Sequence, residues 1–180
     1  VSPLEREKLP DFTHRLKRMS LEDFRTFYKA PFLLLESHAH DSSSDAFPIS
    51  TPSETLQQED IGRVDFTEQF VSSLEKTDKN EKKNITLGRA IENDIFVPHR
   101  AVSKFHAEFF RDGVDGLYHL MDLGSTNGTT LERAPLVANT PVSLDNQQTM
   151  IFGGHVRGTF FYPKDFYNYV QFLARIGKIR

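Results

Sequence analysis

From Ile85 to Tyr162 no apolar run is long enough to make a helix, and this limits the fold more than anything else in the chain. The runs are ITLGRA, DIFV, SKFHAEFF, LYHLMDL, TTLE, PVSL, TMIFG and GTFFY, separated by Gly, Pro, Asn or Asp. Several alternate apolar with polar residues, as a strand does when one face is buried. Short strands in close succession predict an all-β sandwich or barrel of antiparallel strands. The sharpest turn signal is DLGSTNGTT, where Asn127-Gly128 accepts the positive φ of a tight hairpin turn.

The flanks read differently. Residues 1–30 are predicted to form a helical extension. Ser20 with Asp23 resembles a capping box, and Leu21, Phe24, Phe27 and Tyr28 keep helical spacing. Pro31 ends that helix, and FLLLES follows as a short buried strand. A sandwich over 31–162 is then interrupted at about 38–69 by a polar, Ser/Thr-rich insertion with Pro48 and Pro52. In 163–180, Pro163 opens a last helix with Phe166, Val170, Leu173 and Ile176 on one face and Gly177 as its cap.

Charge divides along the chain. From Asp41 to Glu75 there are eight acids against Arg63 alone, and from Lys76 to Arg111 eight bases against five acids. The net charge of −3 argues against general nucleic-acid binding, which needs a basic surface. With no Cys there is no disulfide, thiolate nucleophile or Cys-based metal site. Sixteen Phe and no Trp make the aromatic mass apolar filling. No run spans a bilayer and residues 1–10 lack a signal-peptide core, so a cytoplasmic protein is expected. The opening Val predicts a start inside a longer chain.

Three short motifs stand in order over about forty residues: Gly88-Arg89 in LGRAIENDI, Ser103-x-x-His106 in VSKFHAEF, and Ser125-Thr126-Asn127-Gly128-Thr129. Asn93-Asp94 lies between the first two. Singly they are weak signals; together, in a β-rich chain, they resemble the forkhead-associated (FHA) domain family. The resemblance covers roughly Phe32 to Tyr162 and implies a sandwich of two antiparallel sheets that binds phosphothreonine peptides through loops at one end.

Phosphothreonine carries about −1.5 to −2 charges and three strong acceptors, so a receptor needs a fixed cation and converging donors. Arg89 offers a guanidinium fork suited to phosphate, Ser103 a hydroxyl and Lys104 a second charge. By the family's pattern Thr126 also donates to the phosphate and Asn127 holds the ligand backbone. Gly88, His106 and Gly128 are architectural by the same pattern, with His106 bracing the Ser103 loop. The chain departs from the family where LERAP stands in place of an Asn-Gly turn, and where Gln147-Gln148 stands in place of Gly-Asp.

The resulting expectation is a non-enzymatic module, without cofactor or metal, that binds a threonine-phosphorylated partner in a Ser/Thr-kinase pathway. A ligand in cis around Thr51 or Thr55 extends it, Thr51 also fitting a helix N-cap closed by Glu54. One alternative is a phosphate-independent interaction module on the same fold. Another is a metal-dependent hydrolase using His38, His40 and Asp41, although no third-ligand cluster accompanies them.

Overall fold

The computed structural model describes residues 6–37 and 69–176. The insertion with His38, His40, Asp41, Thr51 and Thr55, and the expected cap Gly177, lie outside the described residues.

The chain begins with β1 (Glu7–Lys8), α1 (Leu9–Leu16), α2 (Leu21–Phe27), β2 (Phe32–Ser37) and β3 (Phe70–Ser73). It continues with β4 (Ile85–Gly88), β5 (Ile95–Phe96), β6 (Ala107–Arg111), β7 (Tyr118–Asp122) and β8 (Thr129–Leu131). The last elements are β9 (Ala134–Pro135), β10 (Val142–Ser143), β11 (Thr149–Phe152), β12 (Val156–Phe161) and α3 (Pro163–Arg175). One sheet has the order β1-β3-β2-β12-β11-β8-β9, the other β10-β7-β6-β4-β5. They form the expected sandwich, with one parallel pairing, β4 with β5, among the antiparallel ones.

Strand β2 explains why two cores exist. Phe32, Leu33, Leu34 and Leu35 are all buried. Because strand side chains alternate, Leu33 and Leu35 enter the sandwich while Phe32 and Leu34 point the other way. That second face meets the helices through Leu9, Phe12, Leu16, Phe24, Phe166, Val170 and Leu173. An unbroken apolar run is the sequence signature of a strand covered on both sides. The Phe32 ring lies 4.6 Å from Phe166, 5.7 Å from Phe24 and 5.8 Å from Phe12, centroid to centroid.

The helices follow local chemistry. Ser20 caps α2 by accepting from the Asp23 N–H at 3.1 Å, and Pro163 starts α3 where no N–H is needed. Two details depart from expectation. Phe27 and Ile176 are not on buried faces; they are 53% and 45% exposed, because Phe24 and Tyr28 take the packed side of the chain beside Phe27, and Ile176 follows the last turn of α3. The SKFHAEFF run becomes strand only at Ala107, since Ser103 to His106 form the loop before it.

The two departures from the family pattern leave side chains in left-handed backbone. Glu132 and Arg133 have φ of 48° and 72°, and Gln147 has φ of 65°. The β8–β9 hairpin tolerates this partly because the Glu132 carboxylate accepts from the Thr149 N–H across the neighbouring strand.

Two stability predictions follow from these features. Phe32→Ala is expected to destabilise the fold by about 3–5 kcal/mol in urea denaturation; a change under about 1 kcal/mol would mean that the second core is not cooperative with the first. Arg133→Gly is expected to raise stability by about 1 kcal/mol by relieving the left-handed strain, read as an increase in the denaturation midpoint, and an unchanged or lower midpoint would contradict it.

Candidate functional site

The loops after β4, before β6 and after β7 gather at one end of the sandwich. Their meeting depends on close backbone approach. A side chain on Gly88 would lie 2.2 Å from the Lys104 carbonyl oxygen, so only glycine fits beneath the Ser103 loop. The Arg89 N–H donates to the Ser103 carbonyl at 2.9 Å and the Ala90 N–H to the Lys104 carbonyl at 3.1 Å. Asn93, fully buried, donates from Nδ2 to the Ala90 and Lys104 carbonyls, at 2.7 Å each.

Beside it Asp94 anchors the strand from the other side. Its carboxylate accepts from Lys76 Nζ at 2.8 Å, from the Thr77 hydroxyl and N–H, and from the Thr86 N–H at 2.8 Å. Burial by itself would raise the pKa of this carboxyl, but the hydrogen bonds from Lys76, Thr77 and Thr86 prevail and hold it at about 2.

His106 connects two of the three loops. Its Nδ1 accepts from the Ser103 N–H at 3.0 Å, so the ring proton sits on Nε2. Nε2 faces the Thr129 hydroxyl at 3.1 Å, and that hydroxyl donates to Asp122 Oδ2 at 2.6 Å. Asp122 also accepts from the Gly124 N–H, the Ser125 N–H and the Ser125 hydroxyl, which shapes the turn leading to Thr126. Burial holds the His106 imidazole below its ordinary pKa, although the Asp122 carboxylate and the Gly128 carbonyl oppose it. Burial pushes Asp122 upward, yet the bonds from Thr129 and Ser125 bring its carboxyl below the usual value. A neutral ring beside an ionised carboxylate is the one protonation state that satisfies every partner.

The side chains left at the surface are of another kind. Arg89 is exposed; its Nε donates to the Val102 carbonyl at 3.1 Å, and its Nη groups have no hydrogen-bond partner among the described residues. The Ser103 hydroxyl accepts from the Thr126 N–H at 3.1 Å and lies 3.4 Å from the Thr126 hydroxyl. Asn127 donates from Nδ2 to the Ala101 carbonyl at 2.9 Å, which leaves Oδ1 without a partner among the described residues. Lys104 is exposed beside them. Arg89, Ser103, Thr126 and Asn127 are thus brought together on three loops, with a cation, two hydroxyls and an amide open to solvent.

Three contributions escape a reading of motifs. Thr129 closes the third motif, but its role as the link between His106 and Asp122 was not assigned there. The carbonyls of Ala101 and Val102 orient Asn127 and Arg89, and backbone groups leave no trace in residue type. Gly153 has φ of 61°, and a side chain there would lie 2.2 Å from the Ala101 carbonyl oxygen; the Gly153-Gly154 pair ending a strand was its visible mark.

Among the described residues, Asp112, Asp115 and His119 place potential metal ligands within 4.8 Å of one another. They sit on the β6–β7 hairpin, at the far end of those strands from the loops just described. Each carboxylate already closes its own turn, on the Val114 and Leu117 N–H groups.

Because unfolding releases a His106 ring that protonates more readily than the folded one, the unfolded state gains protons first on acidification. Stability is therefore full above the ordinary histidine pKa near 6.5 and falls as pH drops below it. The His106 ring resonance is expected to titrate below 6.5 by NMR, with the melting temperature declining over the same range. A midpoint at or above 6.5 would contradict the neutral-ring arrangement.

Comparison with known proteins agrees with this geometry. The family model for the FHA domain matches residues 85–153, the stretch from β4 to the Gly153 turn. Over 55 residues the chain is 44% identical to the oxoglutarate dehydrogenase inhibitor of Corynebacterium diphtheriae, a match covering 31% of this chain and 37% of that protein. The chain thus spans little more than a third of the length of that relative. Among solved structures, the FHA domain of an Arabidopsis thaliana protein is similar at 20% identity and a TM-score of 0.45, over 75% of this chain and 88% of that one. The N-terminal FHA domain of Rad53p from S. cerevisiae, solved with a phosphothreonine peptide, is similar at 22% identity and a TM-score of 0.43, over 54% and 88%. The stretch that the FHA domain model matches, residues 85–153, thus contains all three loops assembled around the neutral His106.

Proposed function

We propose that the loop end of the sandwich recognises phosphothreonine in a partner protein and that the chain acts as an adaptor in Ser/Thr-kinase signalling. The observation that carries this reading is the unspent donor capacity of exposed Arg89 beside the Ser103 and Thr126 hydroxyls. A guanidinium fixed through one nitrogen presents the others in a rigid fork, which matches phosphate oxygens better than a flexible ammonium does. Ser103 and Thr126 add neutral donors, and Lys104 adds charge. Asn127, tethered at Ala101, keeps an acceptor for a ligand N–H and so sets register. A small apolar recess for the threonine methyl would separate phosphothreonine from phosphoserine. Nothing in this chemistry requires a metal, a cofactor or a nucleophile.

A ligand in cis is a second reading, favoured by where the chain leaves the sandwich. Ser37 pairs with Val156, two residues after the Gly153-Gly154 turn, and the Gly153 N–H donates to Gly128 O at 2.9 Å. Ser37, the last described residue before the insertion, therefore lies on the loop side, and Thr51 or Thr55, once phosphorylated, is the candidate ligand for Arg89.

The test is titration with phosphothreonine, phosphoserine and unphosphorylated peptide libraries. Arg89→Ala is expected to cost about 2–5 kcal/mol of phosphothreonine affinity and to leave the melting temperature nearly unchanged. Partner binding that survives Arg89→Ala would favour a phosphate-independent interaction module instead.

A further inference from the structure

The helices cover the outer side of β2 and the Phe161 end of β12. Beside that cover, on β11, β12 and the β8–β9 hairpin, Glu132, Arg133, Thr149, Ile151 and Arg157 line an open recess of about 330 Å³. Met150, Phe152 and Val156 fill the core between the sheets. By strand alternation Ile151 and Arg157 therefore point outward, and the two are register partners.

The cations of this recess are largely unspent. Arg133 is exposed and makes no hydrogen bond or ion pair among the described residues. Arg157 Nη1 lies 3.3 Å from Glu36 Oε1 and Nη2 3.4 Å from Thr149 Oγ1, both long for such bonds. Its Nε, closed off from solvent, has no partner among the described residues. Glu132, by contrast, is committed to the Thr149 N–H. Glu132 and Arg133 also hold φ of 48° and 72°, where glycine costs less. Strain of this kind clusters at functional sites.

The sheet register shows which segment of the chain lies nearest. Arg157 pairs with Glu36, and Gln69 Nε2 donates to Glu36 Oε2 at 2.8 Å. Ser37 and Gln69, the described residues on either side of the insertion, thus stand beside the strand row that holds Arg157. Residues 38–68 carry seven acids against Arg63 alone. An exposed ion pair is individually weak, but a covalently attached partner is present at high effective concentration.

We infer that the Arg133–Arg157 recess binds an acidic segment and that its ligand is a carboxylate of residues 38–68. This gives the sandwich a second recognition face that uses neither the Arg89 loops nor a phosphate, so the inference does not rest on the phosphothreonine reading. An acidic segment of a partner protein would compete for the same place.

The test compares the whole chain with a variant whose seven acids in 38–68 are replaced by Asn or Gln, reading the Nε–Hε NMR signals of Arg133 and Arg157. Both signals are expected to move on neutralisation. A synthetic, unphosphorylated peptide of residues 38–68, added to the neutralised chain, should return them toward their parent positions. Arg133→Gly in the neutralised chain, a change that suits the left-handed backbone, should weaken that peptide about fivefold, the range of an exposed ion pair. If neutralisation leaves both signals in place yet the peptide shifts them, the ligand comes from another protein and the assignment to 38–68 is overturned. If the signals move on neutralisation but the peptide does not restore them, the movement is indirect and the assignment falls as well. If neither treatment moves them, or Arg133→Gly binds the peptide undiminished, the recess is no anion site.

Discussion

A neutral imidazole has one donor and one acceptor, and in His106 both are already spent. The acceptor holds the Ser103 N–H and the donor faces Thr129, whose hydroxyl donates its own hydrogen bond to Asp122. Two loops from different parts of the chain are thereby fixed to one buried ring. Any second proton on that ring would set an N–H against the Ser103 N–H, with burial opposing the charge as well. The position of Ser103, and through it that of Thr126, depends on this ring staying neutral. Asn93 and Asp94 perform the same service on the Arg89 side with amide and carboxylate chemistry.

The helical elements pack at a distance from these loops, on strands that continue toward them. Strand β12 pairs with β2 over six residues and with β11 over four. The β11–β12 turn carries Gly153, which packs on Ala101. The aromatic cluster of Phe12, Phe24, Phe32 and Phe166 covers the outer side of β2 and the Phe161 end of β12. A sheet face that apolar would otherwise be exposed to water, so the helices are a requirement of the β2 sequence.

How much of this could be read from residues alone depended on the kind of group involved. Strands β4 to β8 were legible because their short runs alternate and end in turn residues. The site loops were legible because Gly88, Arg89, Ser103, His106 and Asn127-Gly128 are types with few ordinary reasons to recur in that order. Strand β3 was missed: FVSS adjoins a polar insertion, and its partner β2 lies more than thirty residues earlier, so pairing left no local mark. Phe27 and Ile176 fitted helical spacing, but Phe24 and Tyr28 occupy the packed side beside Phe27 and Ile176 follows the end of α3, limits that periodicity does not encode. The parallel β4–β5 pairing and the carbonyls of Ala101 and Val102 are backbone facts, invisible in composition.

Burial divides the motif residues into two sets, and the division is itself informative. Asn93, Asp94, His106, Asp122 and Thr129 are buried, and their hydrogen bonds go to other parts of the fold. Buried polar groups need such partners, so their presence is accounted for by stability. Arg89, Lys104, Thr126 and Asn127 are exposed and retain unspent donors or acceptors. Stability does not explain them, because an exposed cation or hydroxyl adds little to folding. A fold that commits five buried side chains to holding four exposed ones on separate loops has invested its internal polarity in an external geometry. That geometry combines a forked cation with adjacent hydroxyls, the donor set that a phosphate ester requires.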